Sequence, residues 1–228
     1  MSKTYPVHET FHTFQGEGVH IGRPAYFIRL YGCPIHCPWC DSAGTWHPTW
    51  TPAGIDRLTA EQLAADAGGS LSPVVVITGG EPCIHDLEPL ITACHKVGLK
   101  VHIETSGAFP ITGEPDWVTL SPKKWKPPIE ESLFKANEIK IIVEEPSDIP
   151  LYSELLMLNK YSYDHVWLHP EWSKRESPAV LNAISDAVKY GMRTFRAGWQ
   201  IHKLYSVDSL DPNSRPLVPL GGEEERGY

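Results

Sequence analysis

Val74-Val75-Val76-Ile77-Thr78-Gly79-Gly80-Glu81-Pro82 is the stretch that sets the fold class. Its first half is a nearly unbroken apolar run, the pattern of a strand in a parallel sheet covered on both faces. Its second half ends the strand on two glycines, for a tight strand-to-helix turn or for close backbone approach to a ligand. Further strand candidates on either side are Ala25 to Leu30, Lys100 to Glu104, Trp117 to Leu120, Glu138 to Val143, His165 to His169 and Thr194 to Ile201. Helix signals alternate with them. Thr59-Ala60-Glu61-Gln62 has the capping-box pattern. Leu87, Leu90, Ile91, Cys94 and Val97 fall on one helical face, and Gly98 follows as a stop. Ser177-Pro178 puts an N-cap before a first-turn Pro, with Val180, Leu181, Ile184, Ala187 and Val188 as the buried stripe. Repeated βα units predict an α/β fold with a parallel, curved sheet. A closed eight-unit barrel usually takes about 250 residues, and roughly six units fit here, so the expectation is a partial, open TIM-like barrel.

The 228 residues suit one domain with a full hydrophobic core and no need of disulfide or metal staples. Apolar residues at 41% and charged residues at 21% exclude a disordered or collagen-like chain. Twenty Lys and Arg against 28 Asp and Glu leave a net charge of −8, which argues against a nucleic-acid partner. The sequence has no apolar run of about 18 residues, so no membrane partner is expected. Met1 to Pro6 lacks the apolar stretch of a secretory signal. A cytoplasmic chain with reduced thiols is the expectation. No linker divides it: residues 1–228 read as one domain, with 204–228 a C-terminal extension. The Pro-, Gly- and Glu-rich part of that extension runs as an ordered arm or a loose end. Lone histidines such as His8, His20 and His95 read as surface or core residues.

Three of the five cysteines are crowded in Cys33-Pro34-Ile35-His36-Cys37-Pro38-Trp39-Cys40, a C-x3-C-x2-C pattern. The same spacing describes one face of a helix, but Pro38 inside that helix would cost about 3 kcal/mol. Gly32 and Pro34 favour a loop after the first strand, able to turn three sulfurs toward one centre. In a reducing compartment such a set points to metal binding. Structural zinc wants four ligands, and His36 or His47 could complete the set. A cubane iron–sulfur cluster usually takes four Cys, and three leave one iron open for chemistry. Cys83 is a conceivable fourth ligand, though it reads better as a packed thiol.

This pattern, with Trp39 before its last Cys, resembles the radical S-adenosylmethionine superfamily, and Thr78 to Pro82 resembles that superfamily's GGE motif. The resemblance implies a radical S-adenosylmethionine core in which Cys33, Cys37 and Cys40 hold a 4Fe-4S cluster. The open iron would chelate the methionine moiety of S-adenosylmethionine, and electron transfer would yield a 5′-deoxyadenosyl radical. Within the superfamily, several segments resemble the 7-carboxy-7-deazaguanine synthase family of queuosine and 7-deazapurine biosynthesis. They are Phe11 to Gly18, Gly22 to Leu30, Ile103 to Gly107, Leu120 to Lys123, Asn137 to Lys140 and Gln200 to Lys203. The implied reaction is conversion of 6-carboxy-5,6,7,8-tetrahydropterin to 7-carboxy-7-deazaguanine with loss of ammonia, assisted by Mg2+.

The resemblance also implies roles. Gln15 and the backbone of Phe14 and Gly16 would hold the pterin edge. Arg29 would meet the substrate carboxylate, which a guanidinium fork matches. Thr78 would touch substrate, Glu17 would orient a substrate amine, and Gly80 would contact S-adenosylmethionine. Trp39, Cys40 and Asp41 would lie on the adenine side, and Glu104 and Ser106 would reach the ribose or carboxylate. Ser121, Pro122, Lys123, His169, Pro170, Glu171 and Trp172 would lie near the cofactor. Ser42 stands where the family usually has a Thr that binds Mg2+, and it keeps a hard oxygen suited to that ion. His169-Pro170 stands where Gln-Pro is usual. Family members often end soon after the His-Lys pair and set the terminal carboxylate against substrate, whereas 25 residues follow Lys203 here. A homodimer and a flavodoxin or ferredoxin reductant complete the expectation. The rivals are a glycyl-radical activase sharing the cysteine loop, and a zinc-stabilised binding module.

Overall fold

The described residues form nine strands: β1 (Thr4–Phe14), β2 (Pro24–Leu30), β3 (Asp56–Thr59), β4 (Val74–Gly79), β5 (Lys100–Thr105), β6 (Trp117–Leu120), β7 (Glu138–Val143), β8 (Val166–Pro170) and β9 (Phe195–Ala197). The helices are α1 (Ala60–Gly69), α2 (Glu88–Lys96), α3 (Glu130–Lys135), α4 (Asp148–Leu155), α5 (Pro178–Tyr190) and α6 (Ile201–Tyr205). This computed structural model describes residues 3–157, 163–192 and 194–205. All strands join one sheet in the order β3-β1-β2-β4-β5-β6-β7-β8-β9. From β2 to β9 every neighbouring pair is parallel.

The seven expected strands are those seven parallel ones. The last is shorter than expected. It ends at Ala197, Gly198 N–H donates to Leu168 O at 2.9 Å, and Ile201 already opens α6. The two strands not anticipated, β1 and β3, pair antiparallel outside β2. A register irregularity between Val7 and Glu9 interrupts the β1–β2 ladder. A helix lies on every parallel crossover except β5 to β6, which is a loop, so the open, partial barrel stands with a thinner wall there.

The local signals act as chemistry requires, with three exceptions. Thr59 Oγ1 accepts from Gln62 N–H at 3.2 Å, and the Gln62 side chain accepts from Thr59 N–H at 2.8 Å. Gly98, at φ +83°, follows the end of α2 in the left-handed region open to glycine. Val97, however, is half exposed, Leu181 of the expected α5 stripe is exposed, and Ser177 makes no side-chain cap bond; Pro178 alone marks the start of α5.

Alternation along each strand separates two surfaces. One carries Ile28, Leu30, Val75, Ile77, Val101 and Ile103, packed against Leu63 of α1 and Leu90 and Ile91 of α2. Farther along the sheet, Ile139, Ile141, Val143, Val166 and Leu168 pack with Tyr152 of α4 and Val180 and Ile184 of α5. Each such buried aliphatic side chain contributes about 1.5–3 kcal/mol. The other surface is inside the curl. Toward the C-terminal ends of the strands it carries Arg29, Thr78, Glu104 and Lys140, as α/β barrels place their chemistry.

Candidate active site

The C-terminal ends of β2, β4, β5 and β7 open into one cavity, closed by the cysteine loop, the β1–β2 loop and α6. Cys33, Cys37 and Cys40 all line it. Their loop is not helical. Gly32 (φ +105°) and His36 (φ +53°) take left-handed conformations, and Gly32 N–H donates to Thr45 O at 2.9 Å. Burial pushes the Cys37 thiol up to about 12, with Lys123 opposing, and Cys40 up to about 11, with Asp41 adding to the effect. Cys83 and Cys94 are buried elsewhere, Cys83 beside Glu81 and Cys94 on the core-facing side of α2. His36 stacks on Trp46 at 4.4 Å, the His47 ring abuts the same indole, and neither histidine lines the cavity. Among the described residues, no three His, Cys, Asp or Glu side chains are gathered as a single metal ion would require.

The cavity floor is a buried polar network. Gln15 Nε2 donates to Glu104 Oε1 at 2.8 Å, and Lys140 Nζ donates to Glu104 Oε2 at 3.2 Å and to Glu17. Burial opposes charge at Glu17 and at Lys140. Against it, Lys140 holds the Glu17 carboxyl far below its usual range, and Glu104 and Glu17 hold the Lys140 ammonium above its own. His169 lies behind Glu17, with Nδ1 3.8 Å from Oε1, and is wholly buried. Burial pushes it down to about 4, outweighing the pull of Glu17, so its ring is neutral at pH 7.

The wall beside this floor is set by charge and close backbone approach. Arg29 donates through Nε to Glu9 Oε1 at 2.7 Å and through Nη1 to Ser42 Oγ at 2.8 Å. Its guanidinium lies 5.6 Å from the centre of the Phe11 ring, which stacks on Phe27. Burial would raise the Asp41 carboxyl, but Lys203, 3.4 Å away, and then His202 hold it at about 2. Glu81 is buried and ties the ends of β4 and β5. It accepts from Thr105 Oγ1 at 2.6 Å, from Ser106 N–H at 2.8 Å and from the Ser106 hydroxyl. A Cβ on Gly80 would sit 2.6 Å from Cys33 Cβ, so the glycine brings this turn against the cysteine loop. Lys123 Nζ is held by Ser121 O and Oγ and lies 5.2 Å from the Trp39 ring centre.

No protein-family model matches the chain. Individual proteins do. It is 40% identical over 190 residues to 7-carboxy-7-deazaguanine synthase of Synechocystis, covering 75% of this chain and 89% of that one. It is 36% identical over 205 residues to the enzyme of that name from Flavobacterium psychrophilum, covering 89% and 92%. The crystal structure of QueE from Escherichia coli matches with a TM-score of 0.71 at 36% identity, over 86% of this chain and 94% of that chain. The chain belongs to the 7-carboxy-7-deazaguanine synthase family.

On this 7-carboxy-7-deazaguanine synthase scaffold, most residues singled out from sequence meet in the one cavity. Phe14, Gln15, Gly16, Glu17, Arg29 and Thr78 line it, as do Trp39, Asp41, Ser42, Gly80, Glu104, Ser106, Ser121 and Lys123. Pro122, His169, Pro170, Glu171 and Trp172 do not. Pro170 faces a separate apolar hollow beside α5. Glu171 is turned onto Ser173, accepting its N–H at 3.0 Å, and Trp172 packs edge-on against Trp199. The extension 204–228 lies outside the described residues, apart from Leu204 and Tyr205 at the end of α6. Lining residues without a role from sequence include Phe11, Phe27, Glu81, Lys140, Gln200 and His202. For Lys140 a signal existed: a lone cation inside the apolar run Ile139 to Val143 is costly to bury without a partner.

Proposed function

We propose that this chain is a radical S-adenosylmethionine lyase converting 6-carboxy-5,6,7,8-tetrahydropterin to 7-carboxy-7-deazaguanine with release of ammonia. The observation that carries this reading is the meeting, in one cavity, of three thiols from a single loop with the floor of Gln15, Glu17, Glu104 and Lys140. The donor set fits a 4Fe-4S cluster held at three corners by Cys33, Cys37 and Cys40. All three are free, they share one wall, and burial disfavours their thiolates unless a cationic partner offsets it. Gly80, Ser106, Ser121, Lys123, Trp39 and Asp41 stand where they would meet S-adenosylmethionine, and Ser42 beside Asp41 would offer Mg2+ a hydroxyl oxygen. When bound, the cluster and its nucleoside would supply the 5′-deoxyadenosyl radical that takes hydrogen from substrate C6.

The chain's own residues hold the pterin. Gln15 and the backbone of Phe14 and Gly16 present paired donors and acceptors to its edge. Glu17, kept ionised by Lys140, and Glu104 accept from its N–H groups. Arg29 meets the substrate carboxylate, its guanidinium held in orientation by Glu9. Thr78 completes the contact from the end of β4. A glycyl-radical activase would share the cysteine loop but has no use for this small-molecule floor. A homodimer, reduction by a flavodoxin or ferredoxin, a cytoplasmic location and a product serving queuosine and tRNA modification belong to the same reading. Protein reconstituted anaerobically with iron, sulfide and S-adenosylmethionine, then supplied with dithionite as electron donor, Mg2+ and carboxytetrahydropterin, should yield the deazapurine acid by mass spectrometry. Reductive cleavage of S-adenosylmethionine without that product would overturn the proposal.

A further inference from the structure

We propose that Glu138 is a positioning residue that fixes, from beneath the cavity, the loop presenting Gln15 and Glu17 to substrate. Glu138 opens β7 two residues before Lys140, so both side chains point to the same face of the sheet and Glu138 lies one step farther from the cavity mouth. It is only 2% exposed and does not line the cavity. Its carboxylate collects four donors from three parts of the fold. Oε1 accepts from Thr119 Oγ1 at 2.7 Å and Trp117 Nε1 at 3.2 Å, both on β6. Oε2 accepts from Trp167 Nε1 on β8 and from Val19 N–H, each at 2.9 Å.

Val19 belongs to the segment joining β1 to β2, and its amide is where that segment is tied to the barrel interior. The neighbouring Gly18 is at φ +68°, and a Cβ there would lie 2.5 Å from Glu138 Oε1, so the backbone rests directly on the carboxylate. At the other end, Ile201 N–H donates to Gly16 O at 3.1 Å, and Gln15 exchanges backbone bonds of 2.8 and 2.7 Å with Arg23 and Gly22. Glu17 sits between these ties. Its carboxylate therefore meets Lys140 because the backbone on both sides is held, and Glu138 supplies the hold on the inner side. An unanchored loop would carry Gln15 and Glu17 away from a ligand whose edge they are meant to meet, and misplacement of that order weakens substrate binding more than cofactor binding. The anchoring stands on the structure alone, and its effect on substrate rests on the function proposed above.

The test compares Glu138→Leu and Glu138→Gln in the reconstituted holoenzyme. Leu removes all four acceptor contacts. Gln keeps an amide oxygen for Val19 and Trp167, while its NH2 faces the Thr119 hydroxyl, which can turn to accept, and costs only the longer Trp117 Nε1 bond, since an indole N–H cannot accept. Hydrogen exchange at Val19 should speed up by about tenfold or more in the Leu variant, the scale expected for a lost charge-assisted bond, and return toward wild type with Gln. KM for carboxytetrahydropterin should rise by about tenfold in the Leu variant while the Kd of S-adenosylmethionine stays within about twofold. Unchanged Val19 exchange in the Leu variant, or equal loss of affinity for both ligands, overturns the proposal. Should the Leu variant fail to fold, Gly18→Ala leaves Glu138 in place, presses a methyl against Oε1, and must raise KM in the same selective way. If wild-type protein makes no deazapurine acid, the exchange measurement decides the anchoring alone.

Discussion

Lys140→Met tests whether the cavity floor is held by one buried cation. The Lys140 side chain is 10% exposed and bonds both Glu17 and Glu104. Met keeps most of its volume, so the variant loses the charge and little packing. Removing one partner from a buried ion pair costs about 3–5 kcal/mol. For a chain of this size that corresponds to a fall in Tm of roughly 6–20 °C, at about 2–4 °C per kcal/mol. The pH dependence has a definite sign. Glu17 is held below its ordinary value of 4.5, so its contribution is present above that pH and lost as pH falls through the folded value. Lys140 is held above its ordinary 10.5, so its contribution is present below that pH and lost as pH rises through the folded value. The two shifts describe one interaction and are not added. In the Met variant the buried Glu17 carboxylate lies beside Glu104 without a cation, and Glu17 takes up a proton more readily. The gap from wild type should therefore be widest near pH 8 and narrow toward pH 5. Thermal unfolding of the anaerobically purified proteins at pH 5, 7 and 8 reads this directly. A loss below about 1 kcal/mol, the scale of an exposed pair, or a gap that does not shrink on acidification, would refute the reasoning.

Further expectations concern the thiols and a surface ion cluster. Cys37→Ala should purify without iron and without brown colour. Cys83→Ala should keep its iron and lose only about 1 kcal/mol of stability, since it trims one small buried group beside Glu81; iron loss in the second variant would show the ligand set to be wrong. Asp116 accepts from Lys100 Nζ at 2.6 Å, Val101 N–H at 2.8 Å and the His95 ring at 2.8 Å. Partial burial raises its carboxyl, but Lys100 first and then Val101 and His95 hold it at about 2. Asp116→Asn should therefore cost about 0.5–1 kcal/mol at pH 7, with the difference closing between about pH 4 and pH 2 in denaturant titrations.

The parallel strands were legible because a strand covered on both faces must be apolar nearly throughout, and that requirement is local. The cysteine loop was legible for a similar reason: Pro38 forbids the helix that the same spacing would otherwise allow. β1 was not, since its pairing is antiparallel and broken at Val7, and its residues mix His, Glu and Thr with the buried Tyr5, Val7 and Phe11. β3 is four residues at the sheet edge with little burial to mark it. Gln200 and His202 lie in a segment whose pattern is visible in sequence, but the place of His202 beside Gly16 follows from the turn after β9.

Local pattern therefore sufficed for the strand–helix alternation, the open barrel and the three-thiol loop. The floor and its support depended on which strands became neighbours. Lys140 finds Glu17 across 123 positions, and Glu138 finds Val19 across 119. A buried charge is tolerable only beside its partner, and those partners come within reach because the segment between β1 and β2 lies across the inner face of β7.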